Sequence, residues 1–287
     1  MGMTKHSSDE SRYVIVSGAT GFVGRHVIPL LLRKHYQVLA IARDHHKASQ
    51  CAWFQDVQFL AADLNQDPAA IDVPSNAGLI HLAWHGLPNY SSLFHLEENL
   101  PHSYRFVKSL VMRGVRQVLV AGTSFEYGLQ SGAIPSTADT RPNNPYAIAK
   151  DSLRRHLECL TAEHPFCLQW ARLFYLHGEG QNPKSVLSQL DAAIDNHEST
   201  FRMSGGEQLR DYLPIAAAAA QIVALYERAQ PGISNICSGN PISVRRLVEQ
   251  RIAQRGATIK LHLGYYPYPD HEPLAFWGIR EVADTES

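Results

Sequence analysis

Tyr13-Val14-Ile15-Val16-Ser17 is a continuous apolar run that leads straight into Gly18-Ala19-Thr20-Gly21-Phe22-Val23-Gly24. Val23, Val27, Leu30 and Leu31 then recur at helical spacing. A buried strand passing through a glycine-rich turn into a helix is the opening of a βαβ unit, and this restricts the fold more than any other segment. The glycines spell G-x-x-G-x-x-G. They permit a tight turn and let backbone approach a pyrophosphate, which then rests on the helix N-terminus. The segment predicts dinucleotide binding through Gly18, Thr20, Gly21, Phe22, Val23 and Gly24.

The alternation continues. Strands are expected at Val38 to Ala42, Val57 to Leu60, Gly78 to Leu82, Val115 to Ala121 and Cys167 to Leu173. Helices are expected from about Phe94 to Arg113 and from Tyr146 to Glu163. This implies an α/β fold, a Rossmann-type doubly wound parallel sheet covered on both faces. Beyond Gly178 the pattern loosens. Helices near Ser185 to Asp195, Ile215 to Ala229 and Val244 to Arg255 suggest a smaller C-terminal α/β substrate-binding lobe. The expected division is a flexible tail over 1–12, a dinucleotide lobe over 13–175 with help from 210–238, and a substrate lobe over 176–287.

Composition excludes several classes. The 287 residues carry 26 Lys plus Arg against 27 Asp plus Glu, a net charge of -1, so a nucleic-acid partner is not expected. No apolar run reaches membrane-spanning length, so no membrane partner is expected either. Cys51, Cys159, Cys167 and Cys237 form no C-x-x-C pair, and no metal site is expected. They read as reduced thiols of a cytoplasmic protein.

The end of the second strand bears on the choice of dinucleotide. An acidic residue there would take the ribose hydroxyls of NAD. This chain has Ala42 followed by Arg43, which suits a 2′-phosphate and favours NADP(H) over NAD(H); Arg25 could add a second charge. The competing reading makes Arg43 a solvated loop residue and gives the ribose to Asp44. Tyr146-Ala147-Ile148-Ala149-Lys150 places a phenol and an ammonium on one helix face. The ammonium favours phenolate, and the pair can exchange a proton with a hydroxyl or carbonyl. Alone, Tyr-x-x-x-Lys is also an ordinary helix pair.

Together these segments resemble the extended short-chain dehydrogenase/reductase family, of the NAD(P)-dependent epimerase/dehydratase type. The resemblance extends through Ala62-Asp63-Leu64, His81-Leu82-Ala83, Thr123 to Gly128, Arg172-Leu173-Phe174, Arg210-Asp211-Tyr212 and Asn235 to Gly239, in the family's order. It implies catalytic roles for Thr123, Tyr146 and Lys150. Thr123 would hold the substrate oxygen, Tyr146 would act as general acid or base, and Lys150 would hold the nicotinamide ribose. Asp63 would contact the adenine, Leu64 would also touch the cofactor, and His81, Leu82 and Ala83 would line its middle. Ser124, Phe125, Arg210 and His177 would meet the substrate, with Arg210 on its diphosphate. Asp63 has a plainer reading as a turn cap, His81 as a satisfied strand histidine and His177 as a surface loop histidine.

Family dehydratases carry an acidic pair directly after the threonine. Here Ser124 and Phe125 stand there, which argues against dehydration. Glu126 is shifted by one residue and, in an extended turn, would point to the opposite face. The expected activity is therefore NADPH-dependent reduction of a nucleotide-linked 4-keto-6-deoxyhexose, like the nucleotide-sugar 4-ketoreductases that His81 to Trp84 and Arg172 to Tyr175 resemble. The alternatives are an NAD-dependent nucleotide-sugar epimerase and a non-catalytic NADP-binding regulator. His177-Gly178-Glu179-Gly180 departs from the relatives' Tyr-Gly-Pro-Gly. Ala217 stands where many have an acidic residue that could cap a helix, and the chain continues only briefly beyond Glu272-Pro273. The resemblance also implies a homodimer, with Leu153, Leu157 and Leu160 either facing a partner or covering the chain's own sheet.

Overall fold

The structure, a computed structural model, describes residues 12–64, 73–74, 76–268 and 272–280. Most of the expected tail therefore lies outside the described residues. The first half runs β1 (Tyr13–Ser17), α1 (Gly24–Arg33), β2 (Gln37–Ala42), α2 (His45–Ser49), β3 (Gln58–Ala61), β4 (Gly78–His81), α3 (Leu100–Met112) and β5 (Gln117–Thr123). Next come β6 (Gly132–Ile134), α4 (Pro145–Glu163), β7 (Cys167–Leu173), β8 (Tyr175–His177), α5 (Val186–Asp195) and β9 (Thr200–Arg202). The chain continues with β10 (Leu209–Pro214), α6 (Ile215–Arg228), β11 (Gly232–Ile236), β12 (Pro241–Ser243), α7 (Val244–Gln254), β13 (Lys260–His262) and β14 (Phe276–Gly278).

Seven parallel strands form the main sheet in the order β11-β7-β5-β4-β1-β2-β3. Strand order reverses between β1 and β4, the kind of switch point where such sheets open a ligand crevice. Helices cover both faces, so the strands are apolar on both sides. Val14, Val16 and Ala40 pack with α1 and α6 on one face, while Ile15, Leu79 and Val118 pack with α3 and α4 on the other. Val27, Ile28 and Leu31 of α1 are fully buried, and each such side chain contributes roughly 1.5–3 kcal/mol of transfer free energy.

Leu153, Leu157 and Leu160 belong to this second core, so they cover the chain's own sheet and are not free to face a partner. The long helix expected from Phe94 begins instead as a π turn, His95–Asn99, before α3. Helix α6 starts at Ile215 without a side-chain cap, which places Ala217 inside the first turn and not at the cap. A separate small sheet has the order β12-β10-β8. Its β8 follows β7 after one residue, and pairing with β10 sets Tyr212 opposite Tyr175 and Pro214 opposite His177, while Arg210 pairs with Ile242 of β12.

Candidate active site

The glycine turn has the shape of a phosphate cradle. Gly18 has φ +73°, and a Cβ on it would lie 2.7 Å from the Ala83 backbone N. A Cβ on Gly24 would press even closer to the Gly18 carbonyl oxygen. Only glycine allows β1, the turn, α1 and the loop after β4 to meet so tightly. Gly24 opens α1, where N–H groups lack intrahelical acceptors and the helix dipole is positive. Phe22, Val23 and Leu82 pack against the core behind the turn, and Thr20 is buried beside it. The backbone therefore fits a dinucleotide pyrophosphate.

Arg43 follows β2 at the surface, its Nη2 3.4 Å from His85 Nδ1. Asp44 accepts the Lys47 N–H at 3.0 Å and caps α2, so its carboxylate already has a structural task. Asp63 and Leu64 follow β3, with Leu64 packed against the core. His81 is fully buried; its Nδ1 lies 2.7 Å from Ser17 Oγ, while its Nε2 has no partner. Burial, reinforced by Lys150, pulls its pKa down to about 3, so it is neutral and only half satisfied.

Asn144 caps α4 by accepting the Ala147 N–H at 2.9 Å, with Pro145 in the first turn. This start sets Tyr146 and Lys150 on the buried face. Lys150 Nζ donates to the Ala121 carbonyl of β5 at 2.8 Å. Burial pulls its pKa down to about 7 against the pull of Glu126. Thr123 ends β5 two residues further on. Burial raises the Tyr146 pKa above its ordinary value, and a hydrogen bond from Thr123 opposes the rise. Tyr146 is consequently a neutral phenol.

Thr123 also opens a short 3-10 turn, Ser124–Tyr127, in which its Oγ1 accepts the Phe125 N–H at 3.3 Å. The turn is not extended, which corrects the premise for Glu126. Its side chain nevertheless points inward. It accepts from the Thr123 N–H at 2.8 Å, from Trp170 Nε1 at 3.0 Å and from Arg172 Nε at 2.7 Å, with both ion-pair partners fully buried. Glu126 is thus a brace for the threonine and cannot serve as an extra acid or base. Phe125 walls the site, its ring 5.0 Å from Tyr90 and 6.4 Å from Tyr146, and Ser124 is buried behind it.

The NAD dependent epimerase/dehydratase family model matches residues 14–237. The chain is 32% identical to dTDP-6-deoxy-L-talose 4-dehydrogenase (NAD(+)) of Aggregatibacter actinomycetemcomitans over 93% of its length and 99% of the relative's. The chain belongs to this family. It is also 22% identical to UDP-glucose 4-epimerase of Halalkalibacterium halodurans, over 95% of this chain and 88% of the epimerase. UDP-N-acetylglucosamine 4-epimerase from Methanobrevibacter ruminantium M1 superimposes with a TM-score of 0.81 at 21% identity, over 92% of this chain and 89% of that one. That likeness confirms the fold. As a member of the epimerase/dehydratase family, the chain is an NAD(P)-dependent enzyme of the extended short-chain dehydrogenase/reductase type and modifies nucleotide sugars.

In this family member the expected diphosphate arginine is not an open cation. Arg210 is buried; its Nη2 donates to Glu272 at 2.9 Å, and its Nη1 donates to the carbonyls of Leu209 and Leu274. Any anion reaching Arg210 must compete with Glu272. His177 ends β8 half-buried, its ring 6.4 Å from that of Tyr212, and it lines a cavity of about 1130 Å³ between α5, α7 and the small sheet. It is not a loop histidine. Burial, aided by Arg251, lowers its pKa, so it is neutral at physiological pH. All four cysteines are free thiols. No helix among the described residues is long and apolar enough to cross a membrane, and none of their His, Cys, Asp and Glu side chains cluster as a metal site.

Several site residues escaped the sequence reading. Tyr90 accepts the Tyr146 N–H at its carbonyl, 3.1 Å away, and its ring lies 5.5 Å from that of Tyr146. Trp84 lies under the Lys150 ammonium, with Nζ 3.9 Å from the ring centroid. His95 Nδ1 accepts the Trp84 Nε1–H at 3.1 Å, and Asn99 donates to the same nitrogen. The spacing of His95 and Asn99, four apart within one expected helix, was the only available signal.

Proposed function

We propose that this chain catalyses the NADP(H)-dependent reduction of a nucleotide-linked 4-keto-6-deoxyhexose at C4. A 4-dehydrogenase and a 4-ketoreductase perform one reaction written in opposite directions, so the name of the 32%-identical relative agrees with the redox step at C4, while it specifies NAD(+) as cofactor. The observation that carries the proposal is the convergence of Thr123, Tyr146 and Lys150, while the next two side chains in reach are spent. Phe125 has no proton to move, and Glu126 is locked to Arg172. Water elimination needs an additional acid and base, whereas reduction needs only one proton donor and an oriented carbonyl.

The nicotinamide, when bound, supplies the hydride. Gly18, Gly21 and Gly24 would hold the dinucleotide's phosphates, with Phe22, Val23, Leu82 and Ala83 along its flank and Asp63 and Leu64 toward its adenine. Thr123 would orient the sugar carbonyl. Tyr146, neutral in its buried setting, gives that oxygen its phenolic proton, and the Lys150 charge stabilises the phenolate left behind. Arg43 would stand at the ribose end, and the Asp44 carboxylate beside it is engaged in capping α2, which is the reason for favouring NADP(H). Ser124, Arg210 and His177 would face the substrate. A homodimer would use the solvent faces of α3 and α4, because the leucines of α4 are already buried.

The test is purified protein with a deoxythymidine-diphosphate 4-keto-6-deoxyhexose and NADPH or NADH in parallel, reading oxidation of the reduced nicotinamide. Stoichiometric oxidation, faster with NADPH, supports the proposal. No oxidation with any nucleotide 4-keto-6-deoxyhexose overturns it. Interconversion of two sugars on a retained dinucleotide, without net oxidation, assigns the same residues to an epimerase.

A further inference from the structure

Lys150 is buried among groups that do little to keep it charged. Its own helix offers the neutral Tyr146, β4 offers the neutral His81, and the Glu126 charge after β5 is paired with Arg172. Two further contacts reach Nζ: the Ala121 carbonyl accepts from it at 2.8 Å, and an aromatic face lies against it. The Trp84 indole presents its face to Nζ at 3.9 Å, a cation–π contact that favours the ammonium over the amine. Trp84 also stands edge-on to Tyr146, with ring centroids 6.0 Å apart.

The indole is held from behind. Its Nε1–H donates to His95 Nδ1 at 3.1 Å. Asn99 Nδ2 donates to the same nitrogen at 3.1 Å and to the His85 carbonyl at 2.9 Å. His95 Nε2 is 3.0 Å from the Asn89 carbonyl, which can only accept. These partners select one tautomer, neutral with the proton on Nε2, so that Nδ1 is free to accept. The charged and titratable groups near His95 are Lys150, His85 and Tyr146, and burial with the two basic neighbours keeps it neutral. His95 and Asn99 are the first and last residues of the π turn. Such turns insert an extra residue and often mark functional sites. Here the turn brings both side chains to one indole.

We infer that Trp84 and His95 are positioning residues, acting through Lys150: His95 fixes the indole, and the indole holds the lysine charged and in place. The inference rests on the proposed role of Lys150 but does not need the sugar to be correctly identified. If a charged Lys150 holds the dinucleotide, affinity falls as pH rises and the lysine loses its proton. Removing the indole face destabilises the ammonium, so the midpoint of that fall moves to lower pH.

The experiment titrates dinucleotide affinity against pH for the full chain, with Trp84→Leu, His95→Leu, the double variant and His95→Gln. Trp84→Leu should move the midpoint down by about half to one pH unit, the size of a desolvated cation–π contact. His95→Leu should move it in the same direction, because the indole is no longer anchored. The double variant should be no worse than Trp84→Leu alone, since both act on one contact. His95→Gln keeps an acceptor and a donor and should restore most of the wild-type midpoint. Should His95→Leu fail to fold, Trp84→Phe breaks the same N–H bond from its other end and carries the same test. Unchanged midpoints in folded, dinucleotide-binding variants overturn the inference, as do additive shifts in the double variant. Because no sugar is present, a wrong substrate assignment shows separately, as absent turnover with a normal midpoint.

Discussion

The Glu126–Arg172 pair offers a demanding test of how the threonine is held. Arg172→Met keeps much of the side-chain volume and removes the guanidinium paired directly with Glu126. Both side chains are essentially inaccessible, at 1% and 0% exposure, so water cannot replace the lost partner. Breaking a buried pair in this way typically costs about 3–5 kcal/mol, because one charge is left uncompensated. At roughly 2 °C per kcal/mol for a chain of this size, the melting temperature should fall by about 6–10 °C. The deficit should depend on pH. Burial already pushes the Glu126 pKa up, with Arg172, the Thr123 N–H and Trp170 pulling it back. Without Arg172 the folded-state pKa rises further above its unfolded value. A carboxyl with a raised folded pKa binds its proton more readily in the native state, so native stability increases as pH falls through that pKa. The variant's deficit should therefore be largest near about pH 8 and shrink toward about pH 5. Thermal unfolding of both proteins across that range decides it. A deficit below about 2 °C, or one that grows on acidification, would refute the reasoning, since it would mean the pair contributes little or that Glu126 stays charged unaided.

Tyr146→Phe should lower turnover by about 10²–10⁴-fold while leaving dinucleotide binding measurable by fluorescence titration; full activity would favour a non-catalytic role. Gly18→Ala places a Cβ 2.7 Å from the Ala83 N at a left-handed backbone position, and should abolish the thermal stabilisation given by NADP(H) in wild type. Arg43→Ala should reduce the NADPH-to-NADH ratio of kcat/KM by about tenfold, the loss expected of one charge-assisted contact. Leu157→Ala should cost about 2–5 kcal/mol in a denaturant titration without changing the oligomeric state seen by light scattering; dissociation would put that leucine in an interface.

Legibility was uneven for physical reasons. The strand, glycine turn and first helix were readable because adjacent residues form them, and Gly21 and Gly24 meet atoms of the turn itself, whereas the close neighbour of Gly18 is Ala83, from the loop after β4. Tyr146 and Lys150 could be paired because helical periodicity alone puts them on one face. Glu126 was harder. Its shift by one residue was visible, but its partners Trp170 and Arg172 come from a neighbouring strand. The π turn was not foreseen, because His95 to Asn99 lie inside the stretch from Phe94 to Arg113 that reads as one helix. Arg210 looked like a free anion receptor until Glu272, 62 positions away, was seen to hold it.

What the amino-acid sequence determined by itself is therefore what short-range geometry enforces: a parallel α/β sheet, a phosphate cradle at Gly18 to Gly24 and a Tyr/Lys face on one helix. The tertiary structure alone decided the electrostatic state of those groups. Whether Lys150 keeps its proton, Tyr146 stays a phenol, Glu126 acts or braces, and Arg210 is open or occupied all depend on burial and on partners drawn from distant segments. Desolvation and long-range ion pairing arise only when the chain is packed, and no local pattern reports them.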